Sequence, residues 1–263
     1  MQFLALALAL CAPIAALPTD QTTNPLEDPI ISPFPIHKSC NSTEQRQIAT
    51  GLQEAVTLAA HAKEHILRWG NESAIYRKYF GDRPSITAIG AFDIVVNGYS
   101  DNVLFRCDDP DENCRLDGWA GHWRGENATD ETVICELSYT SRRSLTTMCS
   151  QGYTISESET NTFWATDLLH RLYHMPAIGQ VFVEHYADGY NGVLEQAESN
   201  STEATHDSET LQYFALEAYA YDVVVPGEGC VGDATEEEED EEDEEEDIPD
   251  NCHTHEGGEL HCI

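Results

Sequence analysis

Thr162-Phe-Trp-Ala-Thr-Asp-Leu-Leu-His170-Arg-Leu-Tyr-His174-Met-Pro176 reads as a single helix. Its apolar residues Phe163, Leu168, Leu169, Leu172 and Tyr173 recur near a 3.6-residue period. Pro176 then discourages continuation. On such a helix His170 and His174 stand at i and i+4, so both imidazoles leave one face, close enough to hold one metal ion. Zinc takes imidazole nitrogen at about 2.0–2.1 Å, so this pair is half of a tetrahedral site. The spacing is that of the zinc-peptidase pattern H-E-x-x-H with one change: Arg171 follows the first histidine where the pattern has the glutamate that serves as general base. Arginine takes no proton near neutral pH. The metal geometry is kept and the expected base is lost.

Working outward, the first residues read as a secretory signal, 1–17, with a short apolar run Phe3–Cys11 and small residues at Ile14-Ala-Ala-Leu17. It is too short to span a bilayer, and no later run is long enough. A secreted, extracellular chain is expected, and four sequons agree with it, at Asn41, Asn71, Asn127 and Asn200. Beyond Cys11 the cysteines are Cys40, Cys107, Cys114, Cys135, Cys149, Cys230, Cys252 and Cys262. An even set in an oxidising compartment implies disulfides, with connectivity open. The net charge of −35 argues against nucleic acid and anionic membranes as partners.

The expected organisation is an extended leader over 18–39, a body over 40–232, an acidic disordered linker over 233–250 and a Cys/His-rich tail over 251–263. Glu236 to Asp247 is unbroken acid, whose self-repulsion opposes folding. In the body, a helix is expected over roughly 43–68, capped by Ser42 or Thr43, and a second over Ser73–Phe80 ending at Gly81. His61 and His65, also four apart, lie among Lys63 and Glu64 and read as a solvated face. Residues 85–96 fit helix or strand, while 103–106 and 132–139 read as strands. The segment 187–205 reads as polar and exposed, and Asp207 as the N-cap of a strong helix running to Tyr221. The tail places His253, His255 and His261 between Cys252 and Cys262. If those cysteines pair, they close a small loop in which the imidazoles bind metal.

Three blocks carry a resemblance: His170-Arg-Leu-Tyr-His-Met-Pro-Ala-Ile-Gly179, Glu184-His-Tyr-Ala-Asp-Gly-Tyr190 and the run from Thr205 to Asp222. Over about 40–232 the chain resembles the fungal secreted HRxxH family, which includes a pH-regulated antigen that acts as a zincophore and a major mould allergen. The terminal segment is similar to the zincophore tail. The family is distantly similar to deuterolysin-type zincins. The resemblance implies an α+β, zincin-like, disulfide-stabilised core with Zn2+ as cofactor. It also implies zinc capture outside the cell, delivery to a cell-surface zinc transporter, and contacts with host complement or matrix proteins.

A third body ligand is needed. His185, His206, Asp207 and Glu217 follow the helix. The met-zincin pattern would put a third histidine sooner than His185, whereas aspartate zincins use an aspartate on a later segment. Asp207 is the expected ligand, then His206. Three readings follow: a secreted zinc-binding scavenger and antigen, a zinc endopeptidase whose base is another residue such as Glu209 or Glu217, or a host-binding surface protein whose metal sites are only structural. Loss of the usual base removes a step worth on the order of 10²–10⁴ in rate, which favours the first.

Overall fold

The computed structural model describes residues 31–98 and 100–232, with the backbone of 252–254 and 260–262. The signal 1–17, most of the leader 18–39, the linker 233–250 and the tail side chains, including those of His253, His255, His261, Cys252 and Cys262, lie outside the described residues.

The core is built around α1, Ser42–Trp69. Its cap is Asn41, one residue before the expected one. Asn41 Oδ1 accepts from the backbone of Thr43 and Glu44, and Glu44 returns a carboxylate to the Asn41 N–H. Two orphan helix-end donors and the preceding N–H are satisfied at once, the reciprocal pairing of a capping box. α2 (Ala74–Phe80) is capped by Ser73 and ends at Gly81, whose φ of 56° a side chain would resist. α3 (Ile86–Asn97) resolves the ambiguous 85–96 stretch as helix.

β1 (Leu104–Arg106), β2 (Trp119–Trp123) and β3 (Glu131–Ile134) form the body's sheet. β1 runs parallel to β3 and β2 antiparallel to it. The expected strand over 132–139 ends early, because Cys135 caps α4 (Glu136–Ser141). α5 (Trp164–His174), α6 (Gly189–Glu198) and α7 (Ser208–Tyr219) complete the body. α6 corrects the reading of 187–205 as exposed: Tyr190, Val193 and Ala197 are buried along one face. Residues 252–254 and 260–262 form β4 and β5, which extend the sheet to the order β1-β3-β2-β5-β4.

α1 packs against α3, α5 and α7. Gly51 sets the approach of α1 to α5. A Cβ there would lie 2.7 Å from Leu168 Cδ1 and 2.8 Å from Trp164 Cβ. Cys40–Cys107 ties the start of α1 to the end of β1, Cys114–Cys135 ties the loop before β2 to β3, and Cys149–Cys230 ties mid-chain to the body's last residues. The mixed, disulfide-held α+β body is as expected. No helix among the described residues is long and apolar enough to cross a membrane.

His65 corrects the reading of a solvated face. It is buried, with Nδ1 2.6 Å from Asp222 Oδ2 and Nε2 2.7 Å from Ser73 Oγ. His61 Nε2 also reaches that aspartate oxygen, at 3.0 Å. These bonds fasten the π-helical turn Ala220–Val224, which carries Asp222, onto α1 and the cap of α2.

Candidate metal centre

Every residue of α5 from Trp164 to Tyr173 is buried. The helix is thus enclosed by α1, α7 and β2 rather than half-solvated. This burial holds the face carrying the two histidines in one place. His170 is 2% exposed and His174 half-buried, with Nε2 atoms 2.8 Å apart. Met175 leaves the helix in extended conformation.

The chain then turns back over residues 175–183. Gly179 N–H donates to Met175 O, and Gly179 lies so close to the Tyr173 carbonyl that no Cβ fits. Glu184 next lies alongside the start of α7. Its N–H donates to His206 O at 3.2 Å, and its carbonyl accepts from Ser208 N–H at 2.8 Å. This short parallel bridge fixes His185 beside the helix. His185 Nε2 stands 3.1 Å from His174 Nε2, and its ring stacks on that of His174 with centroids 4.9 Å apart. His170, His174 and His185 converge within 4.8 Å.

Zinc fits this donor set. Bonds of about 2.0–2.1 Å in a tetrahedron put ligand nitrogens about 3.3 Å apart, near the separations seen. Gln212 packs against the pair. It is fully buried, with Nε2 3.2 Å from His170 Nδ1 and donating to Ser208 O at 3.0 Å.

The structure leaves Asp207 and His206, expected as third ligands, outside the cluster. Both oxygens of Asp207 are engaged: Oδ1 accepts from Tyr186 N–H at 2.7 Å and Ala187 N–H at 3.2 Å, Oδ2 from Thr210 N–H at 2.7 Å. Asp207 is therefore the α7 cap and the clamp that holds the residues after His185. Burial pushes its carboxyl up to about 6. His206 stacks flat on Phe182, centroids 4.3 Å apart, and burial lowers its imidazole. Two further carboxylates are committed elsewhere: Glu209 Oε2 accepts from Gly189 N–H at 2.7 Å, and Glu217 Oε2 from Tyr79 O–H at 2.6 Å.

Arg171, in the place of the usual base, turns away from this chemistry. It is 2% exposed and donates from Nε and Nη2 to both oxygens of Asp167, at 2.9 and 3.1 Å. Arg142 Nη2 reaches the same carboxylate at 3.1 Å. The Arg171 guanidinium lies under Gly121 of β2, where any Cβ would collide with it. Another group, Cys114, His122 and Cys135, has its two sulfurs joined as a disulfide.

Residues 4–233 match the family described as "HRXXH: Putative peptidase family". This chain belongs to the HRXXH family. It is 78% identical to "Antigen 1" of Emericella nidulans over the whole of both chains. It is 55% identical to "Major allergen Asp f 2" of Aspergillus fumigatus, covering 98% of each. It is 56% identical to "pH-regulated antigen PRA1" of Candida albicans, over 77% of this chain and 68% of that one. Among solved structures, a zinc peptidase from Grifola frondosa overlays with TM-score 0.49 and 16% identity, on 67% of this chain and 96% of that chain, a loose likeness on which nothing here depends. In this HRXXH protein the second histidine of the motif is paired with His185 eleven residues on, a partner that motif spacing alone passes over.

Proposed function

We propose that this HRXXH protein is an extracellular zinc-capture protein, zincophore-like, whose body binds one zinc ion through His170, His174 and His185. The convergence of three ring nitrogens on one point carries this reading. Family membership and relatives named as antigens and an allergen support an antigenic, secreted protein. The four sequon asparagines are exposed, as attachment of glycans would require. A surface zinc transporter and host complement or matrix proteins are proposed as partners on family resemblance.

The ligand assignment is tested by single variants of the full chain. His185→Ala should lower zinc affinity at least about tenfold, because a tetrahedral ion then keeps two of three body ligands. His206→Ala should leave affinity unchanged. Competition titration against a chromogenic chelator reads both. Zinc affinity lost in His206→Ala and kept in His185→Ala would return the third ligand to the segment before α7.

The endopeptidase reading is second. The wild type should show no chelator-sensitive cleavage of casein, because Arg171 is bound to Asp167 and Glu209 and Glu217 serve other partners. Arg171→Glu should not restore a peptidase. It sets a second carboxylate against buried Asp167 and leaves the Arg142–Asp167 pair to carry the strain, so loss of secreted protein is expected. Robust cleavage by wild type that disappears in His170→Ala would establish the peptidase instead.

A further inference from the structure

We propose that Cys114, His122 and Cys135 form a second, redox-gated zinc site, closed by the Cys114–Cys135 disulfide and opened when a low-molecular-weight thiol reduces it. The site is separate from His170, His174 and His185 and does not rest on their assignment.

Both sulfurs and one ring nitrogen of His122 lie within 4.8 Å of one another. Two thiolates and an imidazole are a zinc ligand set, with bonds of about 2.3 Å to sulfur and about 2.0–2.1 Å to nitrogen. The chain brings these residues together by means other than the disulfide. His122 stands on β2, paired with Val133 of β3. Cys135 directly follows that ladder, its N–H donating to Ala120 O at 2.9 Å. Asp109 holds Cys114 in place: its carboxylate accepts from Asn113 N–H at 3.2 Å and from Cys114 N–H at 2.8 Å. Opening the S–S bond therefore leaves the three ligands on a fixed frame.

His122 supplies the independent sign of a ligand. It is 1% exposed, and its Nδ1 meets no hydrogen-bond partner among the described residues. Buried polar atoms are nearly always paired, so this one calls for an explanation. Nε2 faces carboxylates, with Asp111 Oδ2 at 3.4 Å and Asp109 Oδ1 at 3.7 Å. A histidine that ligates metal through one nitrogen turns its other N–H to a carboxylate. Nδ1 is the nitrogen left for the metal.

Cys114 is half-buried and Cys135 buried, so a reductant meets Cys114 first. The reductant's thiolate attacks that sulfur, the S–S bond breaks, and Cys135 leaves as a thiolate. A second reductant thiol then releases Cys114. The two reductant thiols depart as their own disulfide, having given two electrons, and both cysteines are left reduced. Zinc takes their sulfurs as thiolates and displaces two protons. In the oxidised protein the sulfurs are joined to each other and this site takes no metal.

Cobalt(II) is the probe, because thiolate ligation gives it a charge-transfer absorption in the near ultraviolet. It is titrated into the full-length chain, either oxidised or reduced with glutathione and then freed of reductant without oxygen. The oxidised chain should show no thiolate band. The reduced chain should gain one equivalent that carries the band. Cys114→Ser with Cys135→Ser should abolish that equivalent. His122→Ala keeps both cysteines and should weaken it at least about tenfold. Cys252→Ser with Cys262→Ser should leave it unchanged. No added equivalent in the reduced wild type, or unfolding of the reduced chain by circular dichroism, would overturn the proposal. A band that survives Cys114→Ser with Cys135→Ser, a band lost with Cys252→Ser and Cys262→Ser, or unchanged affinity in His122→Ala would overturn it too. Metal bound by the oxidised chain, without the band, reports the imidazole site, so the two readings fail separately.

Discussion

Asp167→Ala is expected to cost roughly 3–5 kcal/mol of folding stability, the range for removing one partner from a buried ion pair. Asp167 is fully buried and receives two bonds from Arg171 and one from Arg142, both themselves nearly inaccessible. Alanine removes the carboxylate and leaves two guanidinium groups buried without it. In a body of this size each kcal/mol shifts the midpoint by about 2–4 °C, so thermal unfolding should show a fall of about 6–20 °C. Asp167→Asn keeps the shape and one acceptor and should fall between. A change under about 1 kcal/mol for the alanine variant would mean that the family's arginine has no structural role here. Under this account that arginine is retained because it locks α5 to the loop carrying Arg142 and to the underside of β2, and the metal ligands ride on the helix so locked.

His170→Ala with His174→Ala is expected to bring zinc in the secreted protein down to the level of an unrelated protein, measured on material purified without chelator. His185 alone offers one nitrogen, and a single imidazole competes poorly with water and buffer for the metal. Some stability is lost as well, because His170 is buried and its removal leaves a cavity beside Gln212. Circular dichroism on the same sample distinguishes loss of ligand from loss of fold. Zinc retained at one equivalent would place the metal elsewhere in the chain.

The helix that carries the site was legible from the spacing of Phe163, Leu168, Leu169 and Leu172 and from the stop at Pro176, since helical periodicity is a local property. The cap at Asp207 was legible for the same reason, and that role holds its carboxylate on the backbone of Tyr186, Ala187 and Thr210, outside the histidine cluster. His185 was weighed and passed over because its place depends on a bridge between Glu184 and the residues around Asp207, a contact between segments that no local pattern encodes. β2 was missed because Trp-Ala-Gly-His-Trp is buried at four of its five positions and shows no alternation. α6 was read as exposed because Gly189, Asn191, Gly192 and Gln196 mask the buried spacing of Tyr190, Val193 and Ala197. The Asp167–Arg171 pair was within reach of sequence reasoning, since acid and base four apart on a helix are neighbours. Attention to the missing base obscured it.

The central claim is that ring nitrogens of the body hold the zinc, and X-ray absorption at the zinc edge of the loaded full-length chain tests it most directly. The account predicts a nearest shell of nitrogen at about 2.0–2.1 Å with the outer scattering of at least three imidazoles and no sulfur. A shell containing sulfur at about 2.3 Å, or one built mainly of carboxylate oxygen with fewer than three imidazoles, would contradict it.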